Sequence, residues 1–184
     1  MKDRYIETHK TWNKISQLYE EKFMDFELYN DTYKRFCDLL STLDASVFEI
    51  GCGPGNITHH ILDLNPNLKV LAIDVSENMI DLAQKNNPSI KVQVLDCRKI
   101  NTIKKKFDGV ICGFTIPYLS KIDCLKLISD STQLLKEGGI LYLSFVAGEY
   151  KNSGFISGSS GDRTYFYYYD VKTIKQQLEL NHMT

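Results

Sequence analysis

The sequence predicts an α/β protein built on a doubly wound, mostly parallel sheet. Three features support this fold class: short apolar segments alternate with helical ones, the connections between them are short, and a glycine-rich turn follows the first apolar segment. Such alternation covers both faces of a sheet with helices, because consecutive parallel strands are joined by crossover connections.

The composition is that of one ordinary globular domain. The chain has 184 residues, 43% of them hydrophobic and 24% charged, and 22 basic residues nearly balance 23 acidic ones. A chain of this length buries a sizeable core, and its apolar content excludes wholesale disorder. The near-zero net charge gives no general attraction to nucleic acid or to anionic lipid. We therefore expect residues 1–184 to form a single domain.

The sequence also carries signals of cellular location. No stretch approaches the roughly 18 apolar residues that span a bilayer, and the charged N-terminus lacks the apolar core of a signal peptide. The five cysteines are odd in number and include no Cys-x-x-Cys pair, which argues against a disulfide framework and against a zinc site. We expect no membrane association and a reducing compartment, the cytoplasm.

The first 43 residues have a helical pattern. Their large apolar residues recur at three- and four-residue steps, which predicts one helix face formed by Trp12, Ile15, Tyr19 and Phe23. A second helix is predicted over residues 26–40.

The chain then alternates between strands and helices. The apolar runs predict five strands, at residues 47–50, 69–73, 91–95, 107–112 and 140–146. Between them the pattern predicts helices at residues 56–64, 76–85 and 121–135. Proline-containing turns end the first two helices, and Gly138-Gly139 is predicted to end the third.

The last part of the chain is less regular. Residues 153–161 are rich in Ser and Gly, which predicts a mobile loop that is either a lid or a plain connector. The aromatic residues 165–169 are predicted to be extended, and Asp170 is expected to cap a final helix that ends at Leu180.

The glycine-rich turn and one acid carry the first functional signal. The turn from Gly51 to Gly55 lets the backbone approach a ligand closely, and the N-terminus of the next helix favours an anionic group. Asp74 follows the second strand, where a carboxylate can accept hydrogen bonds from ribose hydroxyls. This pattern is typical of nucleoside-cofactor sites and by itself leaves dinucleotides and other nucleoside cofactors open.

Five motifs in order resemble class I S-adenosylmethionine-dependent methyltransferases, over more than half of the chain. They are Glu49-Ile50-Gly51-Cys52-Gly53-Pro54-Gly55, Asp74-Val75-Ser76-Glu77-Asn78-Met79, Leu95-Asp96-Cys97, Phe107-Asp108-Gly109-Val110-Ile111-Cys112 and Leu134-Leu135-Lys136-Glu137-Gly138-Gly139-Ile140-Leu141. The resemblance implies a Rossmann-like methyltransferase fold with N-terminal helices, and S-adenosylmethionine as the cofactor.

The resemblance also implies a set of cofactor-binding residues: Trp12, Tyr19, Glu49, Gly51, Gly53, Gly55, Asp74, Val75, Met79, Asp96, Cys97, Gly113 and Phe114. By this resemblance the glycine turn cradles the methionine portion, Glu49 holds its ammonium group and Asp74 binds the ribose diol. The adenine is placed near Met79, Asp96 and Cys97. Gly113 and Phe114 flank the sulfonium, and the Trp12–Tyr19 stripe resembles a leading helix that covers the cofactor.

Structural interpretations stay open beside these roles. Glu49 could cap the glycine turn, Met79 could serve the core alone, and Asp96 could be a turn acid. The Trp12–Tyr19 stripe could simply dock its helix onto the sheet. No catalytic residue is assigned, because no histidine or acid in the pattern is a convincing general base; His9 is the nearest candidate.

The acceptor signal is weak. Residues 115–118, Thr-Ile-Pro-Tyr, occupy the place where DNA amino-methyltransferases carry Asn/Asp-Pro-Pro-Tyr, but the acid or amide and one proline are missing. Residues 113–118 also lack the carboxylates of metal-dependent catechol methyltransferases. We therefore expect neither a nucleic-acid substrate nor a metal, and predict a small-molecule acceptor with Tyr118 and Arg163 in its pocket, although both could be ordinary surface residues.

The pattern departs from the family after its fifth strand. The usual sheet has seven strands, and we expect the last one or two to be missing here, which predicts an exposed sheet edge and self-association or early melting. We divide the domain into a helical cap (1–43), a cofactor-binding core (44–150) and a substrate-side segment (151–184). The alternatives to a small-molecule methyltransferase are a catalytically silent cofactor-binding module and a nicotinamide-dependent oxidoreductase.

Overall fold

The main sheet of the computed structural model, which describes residues 4–158 and 160–183, has five parallel strands. Their order is β3–β2–β1–β4–β5, the order that a doubly wound fold requires. The strands are β1 (Ser46–Ile50), β2 (Lys69–Asp74), β3 (Lys91–Val94), β4 (Phe107–Gly113) and β5 (Leu135–Ser144). The predicted fold class is confirmed.

Seven α-helices surround the sheet in the described residues. They are α1 (Arg4–Lys14), α2 (Ser16–Phe23), α3 (Asn30–Leu39), α4 (Asn56–Leu64), α5 (Glu77–Asn86), α6 (Lys121–Gln133) and α7 (Val171–Leu180). Within these helices, none has the length and apolar character to cross a membrane.

Strand β1 is the centre of the core. All five of its residues are buried, because both faces of the sheet are covered by helices. Successive side chains point to opposite faces, so Phe48 and Ile50 join the cluster that contains α6 and α7 residues, whereas Val47 joins the cluster under α3, α4 and α5. The sheet thus separates two hydrophobic layers.

The helical cap differs from the prediction at two points. The predicted continuous first helix is interrupted at Ile15, whose backbone (φ −99°, ψ 16°) leaves the helical region, so α1 and α2 are separate helices. The second predicted helix begins at Asn30 rather than at residue 26. The apolar periodicity continues across the break and therefore did not reveal it.

Strand β5 begins earlier than predicted. It starts at Leu135 rather than at residue 140, and Gly138-Gly139 lies within the strand instead of ending a helix. The pairing with β4 shifts between Phe107 and Gly109, and Gly138 has a φ of +71°. Residues 136–139 stand opposite residue 108 alone, so the glycine pair lies in a bulged, irregular part of the strand, a feature that a local pattern confuses with a helix end.

Most of the predicted loop at residues 153–161 is a β-hairpin. Strands β6 (Gly154–Ser157) and β7 (Arg163–Phe166) pair antiparallel, and the rings of Phe155 and Tyr165 meet edge to face with centroids 5.0 Å apart. This cross-strand pair stabilises the hairpin despite the Ser- and Gly-rich composition. Residue 159 of that loop prediction lies outside the described residues. Of the aromatic run, only Tyr165 and Phe166 belong to a strand.

Asp108 connects strands β1, β4 and β5 near the N-terminal end of β4. Its Oδ2 accepts hydrogen bonds from the Ser46 amide (2.8 Å) and hydroxyl (2.7 Å) on β1, and from Lys136 Nζ (2.8 Å) on β5. Burial alone would raise the pKa of Asp108, but the hydrogen bonds from Lys136 and Ser46 outweigh it and lower the pKa to about 2.

Replacing Asp108 by Ala should therefore lower the free energy of unfolding by about 1–3 kcal/mol, because the buried Ser46 amide loses its acceptor. Urea titration measures this loss. In the wild-type chain the contribution is complete above the ordinary carboxyl pKa of 3.8 and is lost as pH falls towards about 2. Exposed Asp25 provides the control, and an Asp108→Ala variant as stable as Asp25→Ala would refute this role.

Candidate functional site

A cavity of about 320 Å³ opens where β1, β2 and β4 end. This is the point at which the strand order reverses, and ligands of open α/β sheets bind in the crevice at that position. Most of the residues predicted for the site line this cavity: Trp12, Tyr19, Gly51, Gly53, Asp74, Val75, Met79, Asp96, Cys97, Gly113, Phe114 and Tyr118. Glu49, Gly55 and Arg163 lie away from it.

The glycine turn needs its glycines for two separate reasons. Gly51, Gly53 and Gly55 have φ values of +67°, +55° and +83°, which L side chains rarely adopt. A Cβ on Gly51 would also lie 2.2 Å from the Thr115 hydroxyl, which is itself fixed by donating to the Ile50 carbonyl at 2.9 Å. Glycine therefore lets the turn pack closely against Thr115 while Gly51 and Gly53 line the cavity.

Asp74 joins the glycine turn to the start of α5. Its Oδ2 accepts from the Gly53 amide at 3.0 Å, and its Oδ1 accepts from the Ser76 amide at 2.9 Å. Burial raises the pKa of Asp74, and these backbone donors together with His9 partly offset the rise. Each carboxylate oxygen has a second lone pair, so the group can still accept from a ligand hydroxyl.

Glu49 lies in the core rather than in the cavity wall. One carboxyl oxygen accepts a hydrogen bond from the Thr58 hydroxyl on α4, and the other is buried without a partner in the part of the chain that the structure describes. Burial, with a smaller contribution from the charge of Asp74, raises the pKa of Glu49 to about 8. The carboxyl is therefore largely protonated near neutral pH. The local sequence pattern did not indicate that Thr58 would contact Glu49.

Asp96 forms an ion pair that the sequence analysis missed. Arg98 Nε lies 3.0 and 2.9 Å from its two carboxylate oxygens, and the Arg98 amide donates to Oδ1 at 2.9 Å. Burial opposes ionisation, but Arg98 outweighs it and lowers the pKa of Asp96. The guanidinium carbon of Arg98 lies 4.0 Å from the ring centroid of Tyr5, so the ion pair extends the cavity wall to α1.

Helix α1 forms the wall opposite the sheet. It contributes Trp12 and four residues for which no cofactor role was predicted, namely Tyr5, Ile6, Thr8 and His9. The Trp12 ring meets the rings of Tyr19 and Tyr118 edge to face, each with centroids 5.4 Å apart. Among the described residues, its indole Nε1 is buried and has no hydrogen-bond partner.

Two further residues complete the wall after β4. Phe114 has a φ of +53°, which is uncommon for a residue with a side chain, and its amide donates to the Ser144 carbonyl (3.2 Å) and hydroxyl (3.1 Å). Backbone strain of this kind concentrates at functional sites. A Cβ on the neighbouring Gly113 would lie 2.3 Å from Ile57 Cδ1, so a larger residue there would have to displace the end of the Ile57 side chain on α4.

Arg163 lies on the far side of α1. Its guanidinium pairs with Glu7 and stacks 4.2 Å from the ring centroid of Phe155. Strand β7 is attached to the outer surface of α1, where the Thr11 hydroxyl donates to the Arg163 carbonyl at 2.7 Å. The predicted contribution of Arg163 to a substrate pocket therefore has no support from its position, whereas Tyr118 lines the cavity.

Comparison with known proteins identifies the family. The methyltransferase domain family matches residues 47–139, which is half of the chain and includes the glycine turn, Asp74 and Asp96. The chain belongs to the class I S-adenosylmethionine-dependent methyltransferases. Outside that range, the helical cap and the hairpin are features that the family match does not cover.

Individual relatives of this methyltransferase domain differ in acceptor. A tRNA N(3)-methylcytidine methyltransferase of Schizosaccharomyces pombe is 24% identical over 168 residues, covering 85% of this chain and 66% of its own. A malonyl-acyl-carrier-protein O-methyltransferase of Priestia megaterium is 24% identical over 191 residues, covering 96% and 66%. The chain spans 49% to 66% of the length of these and similar curated relatives.

A solved structure supports the fold independently. An S-adenosylmethionine-dependent methyltransferase from Clostridium acetobutylicum superposes with a TM-score of 0.71, at 18% identity, over 93% of this chain and 87% of its own. The superposition extends well beyond residues 47–139. The fold resemblance of the methyltransferase domain therefore includes most of the helical cap and the C-terminal segment.

Proposed function

We propose that this chain binds S-adenosylmethionine and transfers its methyl group to a small molecule. The observation that carries the proposal is Asp74, a carboxylate in the cavity wall that the Gly53 and Ser76 amides hold at the end of β2. A carboxylate fixed in this way is suited to the two neighbouring hydroxyls of a ribose.

The residues around Asp74 fit the rest of the cofactor. Gly51 and Gly53 of the glycine turn line the cavity, and α4 begins directly after the turn, so its N-terminus favours the carboxylate of the methionine portion. At the other end, Val75 and Met79 offer apolar surface for adenine, and Asp96 can accept from its amino group. Gly113 and Phe114 line the cavity at the end of β4, on the other side of the glycine turn from Val75.

The protein's part in the reaction is alignment and exclusion of water. When bound, S-adenosylmethionine supplies an electrophilic methyl group, so the chain has to hold an acceptor in line with it. Three aromatic rings enclose part of the cavity, namely those of Trp12, Tyr19 and Tyr118. Aromatic rings favour a cationic group over water. His9 lines the same cavity and is the residue best placed to receive a proton from an acceptor.

A small molecule is the acceptor that the chain's own features favour. The near-zero net charge supplies no general attraction to RNA, and α1 covers one side of the cavity. The relatives include a tRNA methyltransferase, so RNA is the competing acceptor that an experiment has to test.

The family match argues against the nicotinamide alternative. A cytoplasmic location and self-association stay predictions. The five free cysteines support the cytoplasmic location, because free thiols persist in a reducing compartment.

Replacing Asp74 by Ala should weaken S-adenosylhomocysteine binding about 10- to 100-fold, because one or two charge-assisted hydrogen bonds to ribose are lost. Trp12 is the single tryptophan of the chain and lines the cavity, so its fluorescence reports binding. Asp81→Ala, an exposed substitution on α5, is the matched control. Equal affinity of the Asp74 variant and the wild type would refute the ribose assignment.

Cofactor binding should release a proton if Glu49 interacts with the cofactor's ammonium group. The pKa of Glu49 is raised to about 8, so the carboxyl is largely protonated near neutral pH, and a cation nearby would ionise it. Calorimetric titration in two buffers of different ionisation enthalpy measures the released proton. The release should disappear in Glu49→Gln, and a binding enthalpy independent of buffer in the wild type would contradict this role.

The acceptor class is tested by methyl transfer. S-adenosylmethionine carrying a labelled methyl group is incubated with the chain and either a metabolite extract freed of macromolecules or total tRNA. We expect label in the small-molecule fraction, and less of it with Asp74→Ala when the cofactor concentration is below that variant's dissociation constant. Label in tRNA alone would overturn the acceptor assignment. Cofactor binding without transfer to either fraction would overturn the enzymatic activity and favour a silent binding module.

A further inference from the structure

Asn13 links the C-terminal end of α1 to the beginning of α5 by hydrogen bonds. Asn13 Oδ1 accepts hydrogen bonds from the Ser76 hydroxyl at 2.8 Å and from the Asn78 amide at 3.1 Å. In return, Asn78 Nδ2 donates to the Asn13 carbonyl at 2.7 Å. These contacts join residues more than sixty positions apart, and no motif in the sequence pointed to them.

The same contacts continue to the proposed ribose site. The Ser76 amide donates to Asp74 Oδ1 at 2.9 Å, while the Ser76 hydroxyl accepts from the Met79 amide at 3.2 Å and donates to Asn13. Ser76 is completely buried, so its hydroxyl has to find its partners within the protein. A single residue therefore connects Asn13 to the carboxylate of Asp74.

Polar contacts account for much of the attachment of α1. Its only buried residues in the described helix are Thr8 and Thr11. Its two aromatic residues, Tyr5 and Trp12, are only partly buried, so polar contacts supplement a limited apolar burial. The hydroxyls of both threonines bond to the backbone of β7, and Thr8 also lines the cavity. On the cavity side, the Asn13 contacts hold the C-terminal end of α1, next to Trp12.

We propose that Asn13 is a positioning residue that couples the placement of α1 over the cavity to the geometry of Asp74. This inference rests on the proposed function. Asn13 holds the first turn of α5 through the Ser76 hydroxyl and the Asn78 amide. The Ser76 backbone amide, which belongs to the same turn, donates to Asp74 and so holds it in the conformation that accepts ribose hydroxyls. The ribose and α1 therefore stabilise one another, and Asn13 acts mainly by slowing the escape of bound cofactor.

The test compares two substitutions at the same position. Asn13→Leu removes the acceptor oxygen and should weaken S-adenosylhomocysteine binding about five- to twentyfold, because two neutral hydrogen bonds are lost. Most of the change should appear in the dissociation rate, measured by stopped-flow fluorescence of Trp12. Asn13→Asp keeps an acceptor oxygen at the N-terminus of α5 and should bind within about twofold of the wild type. Exposed Asn67→Leu is the control.

A second readout separates positioning from a general structural effect. In an Asp74→Ala background, Asn13→Leu should weaken binding by less than about twofold, because its effect on the ribose passes through Asp74. Thermal melts verify that each variant is folded. The inference is overturned if Asn13→Leu binds like the wild type, if folded Asn13→Asp is as weak as Asn13→Leu, or if the two substitutions act independently. Failure of the wild type to bind would instead overturn the proposed function.

Discussion

The buried carboxylate of Asp74 is the interaction on which the site depends. Strands β1 and β2 are paired in register, with Ile50 opposite Ile73, so the turn after β1 and the first residues after β2 emerge side by side. Asp74 bridges them by accepting from the Gly53 and Ser76 amides. Burying a charge is costly, and these backbone donors offset part of the cost. The carboxylate thereby fixes both the glycine turn and the start of α5.

Helix α5 extends this arrangement to the rest of the cavity. At its end, Asn87 Nδ2 donates to the Gly55 carbonyl at 3.0 Å, and Asn86 Nδ2 donates to the Pro54 carbonyl at 3.0 Å and to Glu20 on α2 at 2.6 Å. The two ends of one helix therefore hold the glycine turn and both N-terminal helices. The cap residues are attached to the same element that orients Asp74, which explains how a polar cap helix keeps a defined position.

The sequence was sufficient for features that local patterns encode. Burial on both faces gives β1 a continuous apolar run, and the three left-handed positions of the turn require glycine, so the strand, the turn and Asp74 could all be located from their spacing. The glycine pair at 138–139 was misinterpreted because a bulge and a helix end use the same residue. The hairpin was missed because its strands are held by pairing between residues about ten positions apart, such as Phe155 and Tyr165, and by contacts of β7 with α1, none of which the Ser- and Gly-rich composition indicates.

The residues that the sequence analysis missed share one property. Asn13, Thr58 and Arg98 are ordinary polar residues whose roles come from partners brought near by the fold or by a turn, and single positions of this kind carry no periodicity. Arg163 is a contrasting case: its charge suggested a ligand, and in the structure the guanidinium pairs with Glu7, so its role in substrate binding stays a prediction without support. Polar networks around a site are thus the part of the structure least accessible from one sequence.

The central claim is that the ends of β1, β2 and β4 bind a nucleoside cofactor of the S-adenosylmethionine type around Asp74. Amide chemical shifts recorded during titration with S-adenosylhomocysteine, and separately with NAD, test it most directly. The account predicts that S-adenosylhomocysteine shifts the amides of Gly53, Val75 and Gly113, leaves that of Gly154 on the hairpin unchanged, and that NAD shifts none of them. Shifts confined to the hairpin, or equal responses to both ligands, would contradict it.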